Sequence, residues 1–222
     1  MSSSTSASPL PTNVNLVGHP LLAHHLSLLR LESTHAKDFR SLLDSITSIL
    51  VTEATRGLPT TRVTGKAPLC QFEGDEMADR IAIVPILRAG LGMVNSALAL
   101  LPTSTSVLHI GLFREKVSLQ PVEYYSKLPA QPTCSEVLIL DPLIATGGTA
   151  TACVNMIVDW GVPVEKVKLL CVLASEQGLR EVAQTFPGLK IYVGQVDAQL
   201  TKEGGYILPG LGDCGDRLFE TQ

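Results

Sequence analysis

Paired cysteines are the first thing this chain lacks. Its five cysteines (Cys70, Cys134, Cys153, Cys171, Cys214) are widely spaced, with no CxxC pair among them. An odd number of scattered thiols without a secretory signal points to free cysteines in a reducing compartment and argues against a structural zinc site. Basic excess is missing as well. The formal net charge is −4, so no global field exists to attract nucleic acid. Charge of either sign is sparse, at 17% of residues, so an anionic ligand must be held by a few arginines and by backbone N–H groups. No apolar run approaches the roughly 20 residues of a membrane helix. Together these absences predict a cytoplasmic protein with neither a nucleic-acid nor a membrane partner. The serine-rich start has no basic n-region and no apolar h-region, and it reads as a disordered head over residues 1–18.

What remains, residues 19–222 with a hydrophobic share of 45% over the whole chain, fits one large α/β domain. Phe39, Leu42, Leu43, Ile46, Ile49 and Leu50 fall at helical spacing, which predicts an amphipathic helix over Ala36 to Thr55. Short apolar runs at 80–87, 106–112, 136–140, 166–174 and 190–196 read as strands. Helical stretches at 91–101, 150–160 and 177–185 alternate with them. That alternation predicts a parallel sheet flanked by helices. The largely polar stretch Glu115 to Ala130, with its pair Tyr124-Tyr125, reads as a protruding hairpin or flexible arm. Ligands in such folds bind beyond the carboxyl ends of the strands.

The strongest motif stands at one of those ends. Val137 to Thr149 (VLILDPLIATGGT) is an apolar strand, an acidic residue and a loop of small residues opening a helix. A helix N-terminus offers unpaired N–H groups and positive dipole charge, which favour phosphate. Gly147 and Gly148 let the backbone approach, and Thr146 and Thr149 add hydroxyls. Asp141 would repel a phosphate and suits sugar hydroxyls better. The loop has no lysine after its glycines and is not a P-loop, and no GxGxxG dinucleotide fingerprint is present. A plain strand-to-helix turn is the competing reading.

This strand-Asp-loop-TGGT pattern resembles the phosphoribosyl diphosphate loop of type I phosphoribosyltransferases. The single acid of Asp141-Pro142 is similar to the uracil-specific branch of that family. Val84 to Met93 (VPILRAGLGM) and Gly111 to Glu115 (GLFRE) resemble it too. The resemblance implies that Arg88 and Arg114 bind the diphosphate, and that the Leu87-Arg88 peptide is cis. It implies that Asp141, Pro142, Leu143, Ile144, Ala145, Thr146, Gly147, Gly148 and Thr149 hold the phosphoribosyl group. A fourth motif, Gly205 to Arg217 (GYILPGLGDCGDR), is too rich in glycine for a regular element and reads as a shaped loop. By the resemblance it receives uracil at Tyr206, Ile207, Gly212, Asp213 and Cys214, with Asp213 also facing the phosphoribosyl group. The match runs from His19 to Phe219. It departs from the family pattern at Leu200 to Gly204, at Cys214, where alanine is common, and at Glu220, where glycine is usual.

The resemblance implies a type I phosphoribosyltransferase fold with a flexible β-arm and a small hood for the base. The implied reaction joins uracil to 5-phosphoribosyl 1-diphosphate and releases UMP and diphosphate. Asp213, Arg114 and Arg88 are its candidate catalytic residues. Mg²⁺ is implied as a cofactor carried by the substrate, with no protein metal site. A homodimer or homotetramer, and GTP as an effector, are also expected on these grounds. The rivals are a regulator that senses a nucleotide on the same fold, and a phosphoribosyltransferase for another base. The acidic balance opposes RNA binding, and the 205–217 loop opposes another base.

Overall fold

The computed structural model describes residues 9–114, 121–202 and 205–221, with backbone only for Arg114 and Pro121. In chain order the elements are β1 (Val14–Leu16), α1 (Pro20–Arg30), α2 (Ala36–Thr55), β2 (Thr60–Lys66), β3 (Gln71–Met77) and β4 (Ile81–Leu87). A 3-10 turn (Ala89–Met93) leads into α3 (Val94–Leu100), followed by β5 (Ser106–Val107), β6 (Ile110–Arg114) and β7 (Pro121–Ser126). Then come β8 (Glu136–Leu140), β9 (Leu143–Ile144), α4 (Gly148–Trp160), β10 (Val167–Ser175), α5 (Glu176–Thr185) and β11 (Lys190–Asp197). The short β12 (Gln199–Leu200) and β13 (Ile207–Leu208) and the helix α6 (Cys214–Phe219) complete the chain.

The main sheet runs β1-β11-β10-β8-β4-β6-β7, with β5 on β4 and β9 on β10. Every pairing in it is parallel except β6 with β7. Helices cover both faces, so the central strands bury both faces, and all five residues of β8 are buried. Val137 and Ile139 enter the core under α4 and α5, while Leu138 and Leu140 enter the core under α2 and α3. Phe39, Leu43, Ile46 and Leu50 of α2 are fully buried in the second of these.

Several predicted elements are present with small shifts: α2 and β8 have the expected bounds, and β4, α4, β10, α5 and β11 lie within two residues of theirs. The strand expected over 106–112 is interrupted at Leu108-His109 into β5 and β6, which both pair with β4 in one continuous register. The helix expected at 91–101 begins as a 3-10 turn. The expected disordered head is too long at its inner end, since Val14–Leu16 pairs with Ile191–Val193 of β11. Residues 1–8 lie outside the described part.

Of the two readings of 115–130, the hairpin agrees with the structure: β7 pairs antiparallel with β6 at the sheet edge, and residues 115–120 lie outside the described part. The element that does stand apart as its own two-stranded sheet is β2-β3, joined through a turn in which Leu69 is 97% exposed. A second small ribbon pairs β12 with β13, and the glycine-rich 205–217 stretch, expected as a loop throughout, contains β13 and the start of α6. No helix of the described residues is long and apolar enough to cross a membrane.

Candidate active site

A cavity of about 420 Å³ opens beyond the carboxyl ends of β4, β6 and β8. Residues from four separated segments line it: Arg88 and Ala89; Leu112, Phe113 and Tyr124; Asp141 through Thr149 in part; and Asp213 with Gly215. Of the expected site residues, Arg88, Asp141, Leu143, Ile144, Ala145, Gly147, Thr149 and Asp213 meet there. The side chain of Arg114 lies outside the described part.

The phosphate loop follows β8. Asp141 is buried at the strand end, with its N–H bonded to Leu170 O across the sheet at 3.2 Å. β9 pairs with β10 as the chain turns, and Gly147 (φ 87°) caps α4 in the left-handed region that other residues avoid. The first N–H groups of α4 have no partner within the helix, so they are donors of the kind that suits an anion, beside the cavity. Pro142, Thr146 and Gly148 belong to this loop without lining the cavity. The Pro142 carbonyl is occupied by the N–H groups of Val172 and Leu173, both at 3.1 Å.

Arg88 follows a cis peptide at Leu87-Arg88, as the sequence led us to expect. Both terminal nitrogens of its fork are already engaged. Nη2 donates to Asp216 Oδ1 at 2.8 Å and Nη1 to Thr221 Oγ1 at 3.1 Å. The Thr221 hydroxyl donates to the same Asp216 oxygen at 2.6 Å. The Thr221 hydroxyl first, and Arg88 second, hold the Asp216 carboxyl below its ordinary range. Sequence reading did not single out either partner, because a carboxylate 128 positions from its arginine leaves no local signal.

The 205–217 loop is shaped by two half-buried arginines. Arg30 forms two bonds to Asp197, at 2.7 and 2.8 Å, and one to Gly210 O at 2.6 Å. Gly210 N–H returns to Asp197 at 3.0 Å. Arg217 donates to Leu29 O, Leu211 O and Leu31 O while its guanidinium stacks 4.5 Å above the Phe39 ring. Asp213 then caps α6, its Oδ1 accepting from Asp216 N–H at 2.9 Å. Among the residues expected to contact the base, Tyr206, Ile207, Gly212 and Cys214 do not line the cavity with Asp213. Gly212 faces a second hollow on the other side of the loop, of about 580 Å³, shared with Arg30 and His35. Cys214 turns its thiol into the core, where burial pushes its pKa up and keeps it protonated. The side chains of both Ile207 and Cys214 are buried in the core.

A parallel sheet with a strand-acid-glycine loop at its carboxyl end, facing an arginine loop across one cavity, defines a type I phosphoribosyltransferase. The family model described as uracil phosphoribosyltransferase matches residues 16–221. A uracil phosphoribosyltransferase from Desulfitobacterium hafniense is 43% identical over 210 residues, covering 94% of this chain and 99% of the relative. One from Roseiflexus castenholzii is 44% identical over 203 residues, covering 91% and 96%. A solved protein structure from Aquifex aeolicus superposes with a TM-score of 0.86 at 33% identity, covering 94% of this chain and 99% of that one. The chain belongs to the uracil phosphoribosyltransferase family.

Proposed function

We propose that this cavity is where the chain joins uracil to 5-phosphoribosyl 1-diphosphate, forming UMP and diphosphate. The observation that carries the reading is the meeting of Arg88, Asp141, Gly147, Thr149 and Asp213 around one cavity, although they are far apart in the chain. In the reaction the bond from the anomeric carbon to the diphosphate oxygen breaks, the bond from uracil N1 to that carbon forms, and N1 loses its proton. No protein nucleophile is needed, so catalysis rests on positioning and electrostatics.

Each residue has a task that its surroundings support. The start of α4 holds the 5′-phosphate, and Asp141 accepts from the ribose hydroxyls. Arg88, with one N–H of each terminal nitrogen held by Thr221 or Asp216, presents its remaining N–H groups to the leaving diphosphate. Arg114 assists from the end of β6. Asp213 faces the sugar as positive charge grows on its ring, and backbone groups of the 205–215 loop read the edge of uracil. The carboxylates of Asp141 and Asp213 are hard oxygen donors on the cavity wall, which suits magnesium carried in on the substrate's oxygens. Bound there, magnesium would neutralise part of the diphosphate charge.

The decisive experiment offers the purified chain 5-phosphoribosyl 1-diphosphate with uracil, cytosine, hypoxanthine or orotate, and follows diphosphate release. UMP from uracil alone is the expected result, and a folded protein that makes no UMP would overturn the reading. A cytoplasmic location, a homodimer or homotetramer and GTP activation belong to the same proposal. Cell fractionation, sedimentation and the same assay with added GTP test them in turn.

A further inference from the structure

The phosphate loop does not stand alone; it is fastened along its length to β10 and α5. Leu143 and Ile144 pair with Leu173 and Ala174 in parallel register. One residue further on, the hydroxyl of Ser175, which is 1% exposed, donates to the carbonyl of Ala145. The same oxygen accepts from Gly178 N–H at 2.9 Å, so Ser175 caps α5 and holds the loop at once. Two residues beyond, Gly147 and Gly178 meet face to face. A Cβ on Gly178 would overlap the Ala145 carbonyl and lie 2.9 Å from Gly147 N. A Cβ on Gly147 would lie 2.8 Å from Gly178 O and 3.0 Å from Val182 Cγ2.

We propose that Ser175 and Gly178 are positioning residues for the phosphate loop, fixing Ala145 to Gly148 in the shape that accepts the 5′-phosphate before substrate arrives. The carbonyl and the following N–H of a trans peptide point in opposite directions. With the Ala145 carbonyl held by Ser175, the N–H of Thr146 is turned away from α5. The missing side chain of Gly178 lets the loop lie directly against the helix, so the start of α4 keeps one position. Ordering the loop during folding removes that cost from substrate binding. Neither residue lines the cavity, so both act through the loop.

This inference rests on the loop being the 5′-phosphate site proposed above, and calorimetry separates the two ideas. Ribose 5-phosphate and magnesium diphosphate are titrated separately into wild type, Ser175→Ala and Gly178→Ala, with melting temperatures recorded alongside. Ser175→Ala removes one oxygen and is expected to weaken ribose 5-phosphate at least about fivefold while leaving diphosphate within about twofold. In turnover, KM for 5-phosphoribosyl 1-diphosphate should rise while KM for uracil holds. Gly178→Ala should move the same quantities further, and if it does not fold, Ser175→Ala decides alone. Unchanged ribose 5-phosphate affinity, or equal weakening of both ligands as from general loosening, would overturn the positioning role. A wild type that binds diphosphate but not ribose 5-phosphate would instead overturn the assignment of the loop.

Discussion

Asp213 carries two tasks that one substitution can separate. Its Oδ1 caps α6 by accepting the Asp216 N–H, and it lines the cavity where charge develops on the ribose. Asparagine caps a helix about as well as aspartate but carries no charge. Asp213→Asn is therefore expected to keep the wild-type melting temperature and uracil affinity while kcat falls at least about tenfold. Asp213→Ala should lose the rate and, in addition, about 1 kcal/mol of stability from the cap. A near-normal single-turnover rate in Asp213→Asn would leave the carboxylate with only its structural task. Asp216, three residues on, is tested by pH. Its carboxyl is held below the ordinary value of 3.8, so ionisation favours the folded chain above that pH, and the benefit is lost as the pH falls through the lower folded value. Melting curves of wild type and Asp216→Asn should differ at pH 6 and draw together as the pH falls below 3.8, and the side chain's partial exposure keeps the difference small.

Two features of the elements show how their ends and irregularities serve the site. In the β6-β7 ladder Gly111 faces Tyr125 while Leu112 faces Glu123, which leaves Tyr124 as the extra residue of a bulge. Bulges re-aim side chains, and this one sets the Tyr124 ring over Gly111 on the cavity wall, 6.1 Å from the ring of Phe113. A Cβ on Gly111 would come within 2.6 Å of that ring. Gly111→Ala must displace Tyr124, and kcat/KM is expected to fall at least about tenfold, since a misplacement of about 1 Å can cost more than that. Unchanged kinetics would show that the ring does not help to shape the site. At the end of α6, Glu220 adopts φ 53°, the left-handed conformation of a helix C-cap that glycine takes without steric cost. Glu220→Gly is expected to raise stability by about 0.5–1 kcal/mol, read as a higher melting temperature. A fall would mean that the Glu220 side chain makes a contribution larger than the backbone cost.

Across the whole molecule the two ends of the sheet divide the work. The carboxyl ends hold the cavity, whereas the amino ends of β8 and β10 are tied by charge. Glu136 accepts from Lys166 at 2.8 Å and lies 3.4 Å from the buried Lys168. Removing the carboxylate would leave the Lys168 ammonium buried without its partner. Glu136→Ala is therefore expected to cost about 3 kcal/mol or more in urea denaturation, with both KM values unchanged in the folded enzyme. Altered KM values would mean that the lower end of the sheet shapes the upper one.

Much of this architecture was legible along the chain, for a definite physical reason. α2 and β8 are covered on the sides that their apolar residues dictate, so periodicity alone set their bounds. The phosphate loop was legible because strand, acid, glycines and helix start follow one another without a break. The β2-β3 ribbon was not, because TTRVTGK and QFEGDEM face solvent on most sides and carry no burial pattern to read. The cis bond, Arg88 and Asp213 were expected from family likeness more than from local chemistry. Tertiary structure alone decided what steadies them: Asp216 and Thr221 on Arg88, Arg30 and Asp197 under the base loop, and Ser175 and Gly178 against the phosphate loop. Each is an ordinary residue whose partner lies a strand or more away, and sequence records the residue types but not the meeting. The order of residues was enough for the α/β architecture and the segments that face the substrate, because hydrophobic period and backbone chemistry act locally. The rigid setting that holds those segments in place exists only where distant side chains pack together.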